Sequence, residues 1–259
     1  MSEKWQPPEG HPITEEMARE LIGVIGPASR QFIASCCVPL FWFVGADPHR
    51  KIMDNGTVTM VRTPARVIGL TADHVVEECL AAFDNGGVCV QLADASAHDL
   101  RGRLIARSRE LDVASFDMTG LVERLGWKDK SPLTSWPPIP PQEGRGIMIG
   151  GYPGCERQTI GKRDVSFGLF TALAVARTVT DDQISCLFER EHMVDTGDIP
   201  TMPPSTDLGG ISGGPVITTM ESEGHFVTFR LGGIVSEAHP ELEKVFAKRV
   251  DFMKDDGRF

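Results

Sequence analysis

The stretch that most constrains this chain is Gly209-Gly210-Ile211-Ser212-Gly213-Gly214-Pro215-Val216. Glycines on both sides leave the backbone bare around one serine. Glycine permits close approach and dihedrals that other residues resist. A hydroxyl presented in this way, with free N–H groups beside it, has what a nucleophile and an oxyanion hole require. The plain alternative is a glycine-rich surface turn that happens to hold a serine.

Two upstream segments bear on that choice. Leu70-Thr71-Ala72-Asp73-His74-Val75 places a histidine where a strand gives way to a short helix, and Leu111-Asp112-Val113-Ala114-Ser115-Phe116 opens a strand with a carboxylate. The chain order is His, Asp, Ser. Together L-T-A-x-H, D-V-A and G-x-S-G-G-P make the chain resemble the trypsin/chymotrypsin-like serine peptidases, in particular the bacterial branch that includes the HtrA (Deg) proteases. The resemblance spans about residues 35 to 250.

That resemblance implies a serine endopeptidase acting through an acyl-enzyme. Ser212 would be the nucleophile, His74 the base and Asp112 the group that orients the base. The N–H groups of Gly210 and Ser212 would form the oxyanion hole. Gly233-Ile234-Val235-Ser236 resembles the strand after the nucleophile, whose serine supports the aspartate. Ser236, Glu237 and Ala238 would pair with substrate, and Thr206 and Asp207 would floor the primary pocket. No cofactor and no metal are implied. Ile211 stands where vertebrate-type zymogens carry an acidic residue, so activation through a newly freed amine is not expected. Asp73 replaces a common alanine, so a second carboxylate adjoins the base. Val38 to Phe43 occupies the early strand where the family shows G-[ST]-G-F.

The fold expected is all-β: two six-stranded antiparallel barrels of the chymotrypsin-like type, with an extra N-terminal helix and a C-terminal helix. Residues 1–34 read as a tail and helix, capped by Thr14, with Met17, Leu21, Ile22 and Ile25 on one face, and ended by Gly26-Pro27. Residues 35–125 read as the first barrel, carrying His74 and Asp112. Residues 126–145 read as a Pro-rich connector, and 146–238 as the second barrel, carrying Ser212. In 239–259, Leu242, Phe246, Val250 and Met253 fall on one helical face behind Pro240.

The 259 residues, 41% hydrophobic, suffice for a sizeable core. A net charge of −10 argues against a nucleic-acid partner, because phosphate contacts need clustered Lys and Arg. The polar, Pro-rich start shows no secretory signal. The apolar run from Phe32 to Ala46 is short of the roughly 20 residues needed to span a bilayer. Cys36, Cys37, Cys79, Cys89, Cys155 and Cys186 are therefore expected to be buried free thiols in a cytoplasmic protein. The partners expected are a protein or peptide substrate, with no nucleic acid and no membrane, and a docking role for the N-terminal helix. Two alternatives remain open. G-x-S-x-G is also the nucleophile elbow of α/β-hydrolases, which need Asp and His after the serine. A protease-like module could also act by binding alone.

Overall fold

Branched and aromatic residues, punctuated by glycine and polar turns, make strand the commonest regular structure among the described residues. The computed structural model describes residues 15–44, 52–85, 91–92, 100–125, 128–160, 164–187, 207–221 and 227–259. A helix, α1 (Glu15–Cys36), leads into β1 (Cys37–Val44), β2 (Ile52–Arg62), β3 (Val67–Thr71), α2 (Asp73–Asp84), β4 (Gln91–Leu92), β5 (Leu104–Ser108), β6 (Val113–Asp117) and a short α3 (Leu121–Leu125). These six strands form one antiparallel sheet in the order β4-β1-β2-β3-β6-β5. The second half contains β7 (Gly146–Gly151), a separate hairpin of β8 (Arg157–Ile160) and β9 (Asp164–Phe167), β10 (Phe170–Val179), β11 (Gln183–Leu187), β12 (Pro215–Glu221), β13 (Val227–His239) and β14 (Lys244–Arg249). Six of them close into a barrel, β10-β11-β14-β13-β12-β7.

Three cores follow. Leu40, Trp42, Val58, Met60 and Phe116 of the sheet pack against Val75, Val76 and Cys79 of α2. Ile147, Ile149, Ile184, Val216, Val235 and Val245 fill the barrel, joined by Leu208 and Ile211 from the serine loop. The third core lies between the two units, where Ile33 of α1 meets Val61, Ile68, Leu70, Met148, Leu231, Ile234 and Val250.

Several expectations are corrected. Only one of the two barrels is closed among the described residues. The other unit is a six-stranded sheet whose edges are β4 and β5. The C-terminal helix expected over 239–259 is instead a single 3-10 turn at Pro240–Leu242 followed by β14. Val245 and Ala247 point into the barrel and are buried, so the segment is read by period two rather than by the helical spacing of Leu242, Phe246 and Val250. β14 fills the gap between β11 and β13 and closes the barrel, which a helix could not do.

At the other end, α1 does not stop at Gly26-Pro27 but runs through Pro27 to Cys36. A proline inside a helix costs a hydrogen bond. Here the turns beyond it seat Ile33 and Cys36 in the inter-unit core, which offsets that loss. Thr14 and the side chains of Met17, Leu21, Ile22 and Ile25, on which a docking role would rest, lie outside the described residues. Of the cysteines, Cys36, Cys37, Cys79 and Cys186 are buried free thiols, but Cys155 is exposed, and Cys89 lies outside the described residues. Among the described residues no helix is long and apolar enough to cross a membrane.

Candidate active site

β3 ends at Thr71, Ala72 is extended, and α2 begins at Asp73. His74 therefore sits in the first helical turn, where backbone N–H groups have no partner within the helix. Its N–H donates to Asp112 Oδ1 at 3.0 Å, and its ring Nδ1 lies 3.0 Å from both Asp112 oxygens. Asp112 occupies the β5–β6 turn at φ +48, a left-handed conformation that aspartate tolerates better than most residues. The carboxylate thus holds backbone and ring together and leaves Nε2 without a hydrogen-bond partner among the described residues. The hydrogen bond to Asp112 is the main reason the imidazole is held above its ordinary 6.5. Burial opposes this, and the charges of Asp112, Glu78 and Glu237 add to it. Burial alone would push the Asp112 carboxyl up, but the hydrogen bonds from His74 outweigh it and hold the group below its ordinary 3.8.

Asp73, the second carboxylate beside the base, does not face solvent. It is 1% exposed and takes two hydrogen bonds from Arg107 on β5.

The serine loop is anchored at both ends by Leu208 and Ile211, buried in the barrel core. Its carbonyls are then fixed one by one. Gly209 O accepts from Gly154 N–H at 2.7 Å, Ile211 O from Gly214 N–H at 2.8 Å, and Ser212 O from Thr57 N–H at 2.8 Å. Gly210 O accepts from the Thr57 hydroxyl at 2.9 Å, and Gly213 O from the Thr59 hydroxyl at 2.8 Å. In a trans peptide the N–H points opposite to the C=O. Fixing the carbonyls of Gly209 and Ile211 therefore aims the N–H groups of Gly210 and Ser212 the other way. Neither N–H has an acceptor among the described residues. Two bare donors, one of them the serine's own amide, could hold a developing oxyanion.

Sequence reasoning missed the residues on β2 that do this anchoring. Asn55, Thr57 and Thr59 share one face of the strand by its period of two. Thr57 is the hub: its hydroxyl donates to Gly210 O and accepts from Tyr152 N–H at 2.9 Å, while its own carbonyl accepts from the Thr71 hydroxyl at 2.8 Å. Asn55 Nδ2 donates to Tyr152 O at 2.7 Å. The strand that meets the serine loop is thus β2. The available signal was the pair Thr57 and Thr59, at alternate positions beside Val58, Met60 and Val61. Replacing Thr57 by valine keeps the shape but strands Gly210 O and Tyr152 N–H. A loss of about 1–3 kcal/mol is expected, chiefly from the buried Tyr152 N–H left unpaired. Denaturant titration checks this: the midpoint should fall while the slope stays constant.

The Ser212 hydroxyl donates to Ser236 O at 2.8 Å, and among the described residues no hydrogen bond joins it to His74. The Ser236 hydroxyl donates to Phe246 O at 3.3 Å and so does not support Asp112, unlike its expected role. Glu237 and Ala238 pair with Phe246 and Val245 of β14 on one edge. On the other edge β12 begins only at Pro215, opposite Ile234, so past that point the strand meets the serine loop. Asp207 is exposed, and its Oδ1 accepts the Gly209 N–H at 2.8 Å, which makes it a loop former. Thr206 lies outside the described residues. Ile211 is 1% exposed and packs as core, leaving no acid at that position to pair with a freed amine. No metal-binding cluster occurs among the described residues.

No family model and no curated protein matches the chain. Among solved structures, the active form of the Rv3671c protease from M. tuberculosis is 17% identical, with 95% of this chain and 89% of that one covered and a TM-score of 0.49. The thermostable serine protease AL20 from an extremophilic microorganism is 14% identical, over 84% of this chain and 92% of that one, with a TM-score of 0.43. The scabies mite inactivated protease paralogue S-I1 is 12% identical, over 86% and 91%, with a TM-score of 0.45.

Proposed function

We propose that the chain is a serine endopeptidase of the trypsin/chymotrypsin-like kind, with Ser212, His74 and Asp112 as its triad. What supports this most is the pair of bare amides, Gly210 and Ser212, aimed by the carbonyls of Gly209 and Ile211, which are held by the N–H groups of Gly154 and Gly214. Rotation about χ1 releases the Ser212 hydroxyl from Ser236 O. His74 Nε2 then takes its proton as Oγ attacks a peptide carbonyl. The two amides receive the oxyanion, a contribution of about 3–4 kcal/mol for each donor. Asp112 keeps the proton on Nδ1 and stabilises the imidazolium. His74 returns the proton to the leaving amine, and water reverses the steps on the acyl-enzyme. Ser236 to Ala238 receives the substrate backbone as an added strand. The primary pocket is assigned to Thr206 and Asp207 by the resemblance alone.

A second reading is a catalytically inactive, protease-like interaction module. The observation that favours it is the Ser212 hydroxyl donating to Ser236 O, a bond that leaves the oxygen unactivated. Labelling with a fluorophosphonate probe separates the two. The endopeptidase reading expects wild type to label and Ser212→Ala not to. Folded wild type that stays unlabelled points to the module.

A further inference from the structure

Helix α2 and the β5–β6 hairpin are joined by three side-chain pairs. Asp73 meets Arg107, Nε to Oδ1 at 2.6 Å and Nη2 to Oδ2 at 3.0 Å. His74 meets Asp112, and Glu77 meets Arg109. The middle pair is the base and its orienting acid, so the flanking pairs govern how far apart those two stand.

The flanking pairs are not equivalent. The Glu77 and Arg109 side chains are 48% and 76% exposed, and such a pair holds little. Asp73 is 1% exposed. A carboxylate so far from water stays ionised only when a partner matches it, and the two-pronged guanidinium contact permits essentially one geometry. Asp73 adjoins the base in sequence. Arg107 sits on β5 opposite Ala114, two residues past Asp112. The pair therefore ties the backbone beside the base to the backbone beside the acid.

We propose that Asp73 and Arg107 are a positioning pair for His74, setting the separation of α2 from the β5–β6 hairpin and with it the His74–Asp112 bond. This rests on the endopeptidase reading. The pair also cancels its own charge next to the base. The groups left acting on His74 are Asp112 from the hairpin, Glu78 on α2 and Glu237 on β13, while Lys248 on β14 acts on Asp112.

The test is the rate of fluorophosphonate labelling of the full chain, followed across the pH range in which an imidazole titrates. Arg107→Gln leaves the buried Asp73 carboxyl with no counter-charge, so it takes up a proton and the acidic limb stays near the wild-type position. Asp73→Asn leaves the guanidinium uncompensated and moves that limb to lower pH. The double variant Asp73→Asn/Arg107→Gln buries no lone charge. Its limb stays at the wild-type position, while its plateau rate falls on the order of 100-fold as the base loosens. Lost packing alone would not lower the limb in Asp73→Asn and leave it in place in Arg107→Gln. A double variant that labels at the wild-type plateau rate overturns the proposal, and so does a folded Asp73→Asn variant with an unmoved limb. Should the single variants fail to fold, the plateau rate of the double variant decides, with folding checked by a cooperative thermal transition. Folded wild type that does not label overturns the endopeptidase reading instead.

Discussion

Asp112→Asn is expected to slow reaction at Ser212 by about 10⁴-fold while leaving the fold intact. The substitution is nearly isosteric, and asparagine also tolerates the left-handed conformation of position 112, φ +48. The loss comes from the proton pattern. The His74 backbone N–H can only donate, and it points at Oδ1. The new amide will satisfy it with its oxygen. The NH₂ group then occupies the site of Oδ2, 3.0 Å from ring Nδ1. With a donor at the Oδ2 site and the oxygen at the Oδ1 site already taken by the backbone N–H, Nδ1 is favoured as acceptor and the ring proton shifts to Nε2. A protonated Nε2 cannot accept the serine proton. The pH profile should change as well. In wild type the hydrogen bond and charge of Asp112 hold the imidazole above 6.5, so the acidic limb lies above that value. Without the carboxylate the limb moves down. Labelling rates across pH, with the melting temperature as control, measure both effects. A variant that labels within tenfold of wild type would mean that Asp112 does not orient the base.

Gly213→Ala is expected to be the most damaging small substitution for stability, at about 2–5 kcal/mol. Position 213 has φ +88, which costs a side-chain-bearing residue about 1–2 kcal/mol. A Cβ there also has no room: it would strike the Thr57 carbonyl oxygen and the Thr71 hydroxyl, and would lie 2.9 Å from Thr71 Cα. These are backbone and locked side-chain atoms of β2 and β3, so relief requires the serine loop to leave the sheet. Overpacking of this kind adds about 1–3 kcal/mol. Gly144→Ala is the matched control. Its φ is +76, but a Cβ there meets nothing within 4 Å, so only the dihedral cost applies. Denaturant titration of the two variants separates strain from collision. Equal losses would mean that the loop is not clamped against β2 and β3.

How far the site was legible in the sequence depends on whether a residue acts through a local motif. Gly209 to Val216 and Asp112-Val113-Ala114 are contiguous patterns, and their glycines, apolar anchors and turn residues could be read one segment at a time. Thr57 and Arg107 act across more than thirty residues of chain, on partners that only the folded sheet supplies. Nothing local distinguishes Thr57 from any strand threonine, or Arg107 from a surface arginine. The Ser236 hydroxyl turned to Phe246 for the same reason: β14 stands where a helix was expected, and its carbonyls compete for the donor. The C-terminal error itself comes from a sequence that satisfies two periods at once. Leu242, Phe246 and Val250 suit a helix, Val245 and Ala247 suit a strand, and the open seam of the barrel decides between them. At the other end Gly26-Pro27 carries a correct local cost, but burial of Ile33 outweighs it.

The most direct test of the endopeptidase reading is to incubate the folded chain with a fluorophosphonate and map the adduct by peptide mass spectrometry. The account predicts one adduct, on Ser212, that forms faster as pH rises through the His74 titration and is absent from Ser212→Ala. Folded protein that carries no adduct on Ser212, or labels equally well when His74 is replaced by alanine, would contradict it.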